Sequence, residues 1–279
     1  MDGEFVHLDG SSVSGIINRG GTFLHTVREK EFSTSAGIRK ACRIITKHRI
    51  DGLIVLGGNG SLRGAWELAH KTSAAIIGVP KSIDNDVGGT DFSIGFDTAM
   101  NTAVEVIDKI RDTATSHERL FLVETMGRKR GFLALATALA GGAEAVLLPE
   151  VTTDTNALCH QLEIGRKRGK HSSIIVVAEG DEAGGAFEIA RKIRKKLKGY
   201  DVRVSVIGHQ QRGGAPSAFD RILASQFGNA AVEAIIEGEK TKMVAIRRGE
   251  ILLLPLEFSW RIEKPLDASL LRLAETLSR

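Results

Sequence analysis

Leu53-Ile54-Val55-Leu56-Gly57-Gly58-Asn59-Gly60-Ser61 and, further on, Ala75-Ile76-Ile77-Gly78-Val79-Pro80-Lys81-Ser82-Ile83-Asp84-Asn85-Asp86 decide the fold. Each is a short apolar run, too short for a helix, that ends in a glycine-rich or acidic turn. A helix is expected from near Leu62, between the two runs. The same alternation continues through Leu120–Val123, Ala145–Leu148, Ser173–Ala178, Val202–Ile207 and Met243–Ile246. Apolar strands separated by amphipathic helices predict an α/β fold built on a parallel sheet. Ala103, Ile107 and Ile110 line one helix face, with Asp97 or Thr98 as its cap. Ala186, Ile189, Ile193 and Leu197 line another, and the charges of RKIRKKLK fall on its far side, which reads as a solvated face. Pro265 to Arg279 predicts a final packed helix.

The chain has 279 residues, 42% of them hydrophobic, enough for a substantial core in two lobes. The expected lobes are 1–95 with 212–262, and 96–211 with 263–279. Net charge is +4, from 38 basic and 34 acidic residues, too balanced to argue for nucleic acid. Two cysteines, Cys42 and Cys159, are too few for a disulfide framework and read as reduced, packed thiols. The start MDGEFVHLDG lacks a basic run followed by an apolar stretch, so no secretory signal is expected. The longest apolar region, 131–148, is interrupted by Gly141, Gly142 and Glu144, short of the about 20 continuous apolar residues that span a bilayer. A cytoplasmic protein without membrane contact is expected.

Polar loops follow five of the strand candidates: 57–61, 80–86, 126–131, 179–181 and 208–214. In open α/β sheets the carboxyl ends of strands face the ligand crevice, so one large site is expected there. The 57–61 loop suits a phosphate cradle, with backbone N–H groups and a helix start aimed at oxygens, or is an ordinary strand-to-helix turn. It is not a P-loop, since no G-x-x-x-x-G-K-[ST] occurs, and Arg63 spoils a dinucleotide fingerprint, which argues against a nicotinamide-dependent oxidoreductase. Asp84 and Asp86, beside Lys81 and Ser82, suit removal of a proton from an attacking hydroxyl or the holding of a metal on phosphates; the alternative is an Asx-rich turn. Arg128, His209 and Arg212 offer cationic donors for an anion. These residues predict a phosphorylated small molecule beside a second phosphate-bearing ligand, an arrangement for phosphoryl transfer.

GGNGSLRGA, PKSIDNDVGGTDFSIGFDTA, IRDTATSHER, ETMGRKRG, AGGAEAVLLPE and GHQQRGG together resemble the 6-phosphofructokinases, in that family's order and spacing from about Ser12 onward. The resemblance implies a two-lobed, Rossmann-like fold with an ATP-binding donor lobe and a sugar-phosphate lobe. It implies transfer of a phosphoryl group from ATP, with Mg²⁺, to the C1 hydroxyl of fructose 6-phosphate in glycolysis. Asp84 is then the general base, and Arg128 the cation that steadies the transferred group. Ser82, Ile83, Asp86, Met126, Gly127, Glu179, His209 and Arg212 complete the sugar-phosphate contacts. Arg119 and Arg203 match arginines that reach the 6-phosphate from a neighbouring subunit, which implies a homodimer or homotetramer. Arg28, Gly58, Asn59, Gly60 and Ser61 fall on the donor side. Arg111, Glu144, Arg168 and Lys170 fall where bacterial relatives bind allosteric effectors.

The sequence departs from that pattern in three places. Relatives open with a strand and a loop, S-G-G-D-x-P-G-x-N, on the donor phosphates; nothing like it precedes Gly3, so an incomplete donor lobe is expected. Asn59 stands where the family has a magnesium-binding aspartate, which predicts weaker metal binding because an amide oxygen brings no charge. Gly60 and Lys81 bear on donor choice: pyrophosphate users carry an aspartate at the first and a lysine at the second. A glycine leaves room for a nucleotide's α-phosphate, so ATP is expected over pyrophosphate. The depleted donor side also leaves a non-catalytic sugar-phosphate-binding or regulatory paralogue as an alternative.

Overall fold

The structure, a computed structural model, describes residues 3–27, 29–117, 119–170 and 172–277. In chain order its strands are β1 (Gly52–Gly57), β2 (Ala75–Pro80), β3 (Arg119–Thr125), β4 (Ala145–Leu147), β5 (Ser173–Ala178), β6 (Asp201–Val206), β7 (Lys242–Arg247) and β8 (Glu250–Pro255). The helices are α1 (Ser35–Lys47), α2 (Asn59–Ala69), α3 (Phe96–His117), α4 (Phe132–Ala140), α5 (Thr155–Lys167), α6 (Ala186–Lys196), α7 (Ala218–Ile236), α8 (Phe258–Arg261) and α9 (Ala268–Leu277). The chain divides into two compact units, Met1–Gly95 with Ala215–Lys264, and Phe96–Gly214 with Pro265–Arg279.

The first unit holds a sheet of order β1-β2-β7-β8, parallel through β1, β2 and β7. Sequence reading expected parallel strands alone and missed β8, which returns antiparallel to β7. The reason is local. Arg248 and Gly249 both take positive φ, 52° and 85°, the two-residue turn whose twist suits an antiparallel hairpin. Both sheet faces are covered. Leu62, Ala65, Leu68, Ile76, Met243 and Leu256 form one cluster; Ile77, Val79, Leu223, Phe227, Ala231 and Val244 form the other.

The second unit has a parallel sheet of order β4-β5-β3-β6, also buried on both faces. In α6, Ala186, Ile189, Ala190 and Ile193 are buried with Leu197 just beyond, while Arg191, Lys195 and Lys196 stay exposed. Full burial of each isoleucine contributes roughly 1.5–3 kcal/mol, so this face, rather than helix propensity, fixes α6 to the sheet. Leu266, Leu271 and Ala274 around α9 join the cluster with α4 and β4, in the tail predicted to be a packed helix. Cys42 and Cys159 are both free thiols. No described helix is long and apolar enough to cross a membrane.

Candidate active site

In the first unit the glycine-rich stretch is the start of a helix. α2 begins at Asn59, earlier than the expected Leu62, so Asn59, Gly60 and Ser61 lie in its first turn behind the N-cap Gly58. The leading N–H groups of a helix have no intrahelical partner, which gives this end an affinity for anions. Gly57 is required here, because a Cβ would lie 2.5 Å from the Ser61 Cβ. Gly60 is different: no atom lies within 4 Å of a Cβ placed there, so the space beside it is open.

The acidic turn after β2 lies against this helix start. A Cβ on Gly58 would sit 3.6 Å from that of Ser82, and the Asn59 amide donates to the Asp86 carboxylate at 3.0 Å and to its carbonyl at 3.3 Å. Reversing that amide would set its oxygen against two acceptors, so its orientation follows from chemistry. The Asn59 Oδ1 is then buried without a partner among the described residues. Ser82 Oγ accepts from the Asp84 N–H at 3.2 Å and sits 3.5 Å from an Asp86 oxygen. Asp84 is buried, and Ile83 is half-buried beside Gly95. Lys81 reaches back to the Thr22 hydroxyl at 3.2 Å.

Asn85, between the two aspartates, shapes the turn. It adopts φ 51°, a left-handed conformation that asparagine tolerates better than most residues. Its Oδ1 accepts from the Ser93 N–H and hydroxyl at 2.9 and 3.2 Å, and its Nδ2 donates to the Asp91 carbonyl at 3.1 Å. The loop is braced from outside by Lys264, whose amine donates to that same carbonyl at 2.7 Å. Burial pushes the Lys264 amine down to about 8, against the opposing pull of Asp91 and Asp86. Gly88 passes under the chain so closely that a Cβ would come 2.1 Å from the Ile262 carbonyl. Sequence reading missed both Asn85 and Lys264 as supports, and Lys264 is 173 residues from its acceptor.

In the second unit the Met126-Gly127-Arg128 turn leaves β3 with Gly127 at φ 146° and Arg128 at φ 55°. Its three successive N–H groups are all engaged. Gly127 and Arg128 donate to one Glu179 oxygen at 3.2 and 2.6 Å, and Met126 donates to the Gln211 Oε1 at 2.8 Å. Gly180 packs beneath it, where a Cβ would lie 1.8 Å from the Arg128 carbonyl. His209 and Arg212 sit exposed on the 3-10 turn Gly208–Arg212 after β6, so β3, β5 and β6 bring Met126, Gly127, Arg128, Glu179, His209 and Arg212 to one sheet end. Gln211 on that turn escaped the sequence reading, its QRGG setting being the one available signal.

Arg119 and Arg203 are not brought to that end. They lie near the starts of β3 and β6, both paired with Asp201 at 2.8 Å. Their hydrogen bonds, Arg203's the larger, hold the Asp201 carboxyl below its ordinary range. Arg111 donates to the Gly141 and Gly142 carbonyls at 2.6 and 2.7 Å, with Glu144 3.8 Å away, while Arg168 and Lys170 follow the end of α5. Arg28 lies outside the described residues.

The chain as a whole resembles known proteins. The profile of the phosphofructokinase family matches residues 1–235. The chain is 49% identical over 278 residues to ATP-dependent 6-phosphofructokinase 1 of Thermus thermophilus, and 48% to ATP-dependent 6-phosphofructokinase of Brevibacillus brevis. Both alignments take in all of this chain and 86% of the relative. The crystal structure of Pichia pastoris phosphofructokinase in the T-state superposes with a TM-score of 0.85 at 33% identity, over 97% of this chain and 32% of that one. A pyrophosphate-dependent phosphofructokinase from Marinobacter aquaeolei, 24% identical, shares the fold at a TM-score of 0.80, over 94% of this chain and 71% of its own. The chain belongs to the phosphofructokinase family.

Proposed function

We propose that this chain transfers the terminal phosphoryl group of ATP to the C1 hydroxyl of fructose 6-phosphate, the ATP-dependent 6-phosphofructokinase reaction of glycolysis. The observation that carries this reading is the Asp84-Asn85-Asp86 turn, held against the amide-bearing start of α2 in a chain that aligns throughout with ATP-dependent 6-phosphofructokinases. The first unit serves as the donor lobe, the second as the sugar-phosphate lobe. Phosphoryl transfer demands little covalent chemistry of the protein, so positioning and charge stabilisation do most of the work.

Asp84 takes the proton from the C1 hydroxyl as that oxygen attacks phosphorus. Its turn is held by Ser82 and Asn85, which fixes the backbone that carries the carboxylate. Gly58, Gly60 and Ser61 offer the helix start to donor phosphates, with Arg28 as a further cation. The open space beside Gly60 accommodates a nucleotide's α-phosphate, where an aspartate would repel it. Lys81 lies on the same side. Arg128 steadies negative charge on the group in flight. Ser82, Ile83, Asp86, Met126, Gly127, Glu179, His209 and Arg212 bind the sugar phosphate, and Arg119 and Arg203 reach the 6-phosphate of a neighbouring copy in a homodimer or homotetramer.

The residues present fit Mg²⁺ thinly. The Asn59 Oδ1, buried without a partner, and the Asp86 carboxylate are hard oxygen donors suited to it. Among the described residues no group of three or more His, Cys, Asp or Glu could hold an ion unaided, so the remaining ligands are phosphate oxygens and water. Bound there, the ion would neutralise charge on the donor phosphates.

A coupled assay of the purified chain with fructose 6-phosphate and Mg²⁺ tests this reading, with ATP or pyrophosphate as donor. Turnover with ATP and none with pyrophosphate is expected. Binding of fructose 6-phosphate without turnover from either donor would instead identify a regulatory paralogue.

A further inference from the structure

The Met126-Gly127-Arg128 turn carries three consecutive N–H groups, with Gly127 at φ 146° and Arg128 at φ 55°. None of the three is left open. The Glu179 carboxylate takes two and the Gln211 carbonyl takes the third. The two acceptors come from different strand exits, β5 and β6, so the turn is gripped from both sides. Gln211 is 1% exposed, whereas its neighbours His209 and Arg212 point to solvent. The orientation of its amide follows from its partner: exchanging Oε1 and Nε2 would set two N–H donors against each other. Its Nε2 is buried without a partner among the described residues, a penalty accepted while Oε1 serves the Met126 N–H. An amide kept there despite that penalty, and joined to the turn that carries Arg128, has a task other than filling space.

We propose that Gln211 is a positioning residue: its carbonyl fixes the Met126 end of the turn, and through it the placement of Arg128 during phosphoryl transfer. This rests on the phosphoryl-transfer reading above. A neutral acceptor suits the place: a carboxyl buried there beside Glu179 would be held as the neutral acid, whose carbonyl still accepts from the Met126 N–H. Without the acceptor, the Met126 N–H loses its partner and the Glu179 grip is left without its counterpart from β6. Gln211 touches no reacting atom in this account, so its loss acts on kcat through geometry and spares the affinity for the donor.

Gln211→Met keeps the volume and removes the acceptor; Gln211→Asn keeps an amide and withdraws it; Gln211→Glu retains an acceptor at full reach. With ATP and fructose 6-phosphate, Gln211→Met and Gln211→Asn are expected to lower kcat about 10–100-fold, the scale of a misplacement near 1 Å. The KM for ATP should stay within about twofold of wild type, and melting temperatures within a few degrees. Gln211→Glu should recover at least about fivefold of the loss. Two results overturn the role: kcat within about twofold of wild type in folded Gln211→Met or Gln211→Asn, or a Gln211→Glu enzyme as slow as they are. Should Gln211→Met not fold, Gln211→Asn against Gln211→Glu decides the matter alone. An inactive wild type would overturn the proposed activity and this inference together; an active wild type with unaffected variants overturns only the inference.

Discussion

The acidic turn of the first unit and the Met126-Gly127-Arg128 turn of the second are built on opposite plans. Around Asp84 the loop is stitched by short polar residues from its own sequence, with Asn85 bonding Ser93 and Asp91 and Ser93 bonding back to the Ser82 carbonyl at 2.7 Å. Around Arg128 the loop closes on itself through the Arg130 N–H to the Gly127 carbonyl at 3.0 Å and is gripped from outside by Glu179 and Gln211, 51 and 85 residues away along the chain, over a glycine that admits no side chain. The first plan holds a carboxylate still near its own backbone. The second makes the placement of a cation depend on the registry of three strands. Positional error in the first turn is set largely by its own bonds with Lys264 as an outside brace, and in the second by the sheet that carries its two grips.

That contrast can be broken in order of expected effect. Asp84→Asn should lower kcat by about 10²–10⁴-fold, the range for losing a general base, with fructose 6-phosphate affinity by calorimetry nearly unchanged. A near-normal rate would take Asp84 out of that role. Gly180→Ala tests the second plan, since its methyl group would meet the Arg128 carbonyl at 1.8 Å, a clash relieved only by moving one strand exit. A loss of about 10²-fold in kcat is expected, with a fall in melting temperature. Retention of both would mean that this turn tolerates slack.

Lys264→Met gives the smallest effect and probes the external brace of the first turn. Its amine is depressed to about 8 from the ordinary 10.5, so between these values the unfolded chain binds more protons than the folded one. Stability from this group therefore rises with pH across about 8 to 10.5, because charging the half-buried amine opposes folding below that window. The unfolding free energy of wild type from denaturant titrations should gain on that of Lys264→Met over this interval by about 1 kcal/mol, allowing for partial exposure. Parallel pH profiles for the two proteins would show that Lys264 titrates normally.

Strands β1 to β7 were legible because each is a short, mostly apolar stretch between turn residues, a pattern written within a few positions. β8 was missed although Ile251-Leu252-Leu253-Leu254 is a run of the same kind, and its antiparallel direction depends on positive φ at Arg248 and Gly249. Asp84, Asp86, Arg128, His209 and Arg212 were picked out by residue type at strand ends. Gln211, Lys264 and the structural use of Asn85 were not, because an amide or an amine has no signature until its partner is known.

By itself, then, the sequence determined the α/β class, the polar turns at the strand ends and the family resemblance, all properties of neighbouring residues. Only the tertiary structure decided that the Asn59 amide meets Asp86, that Glu179 binds backbone N–H groups of the Arg128 turn, and that Gln211 is buried beneath it. Those contacts join residues between 27 and 85 positions apart. Hydrogen bonds at that separation follow from strand order and register, which no local pattern encodes.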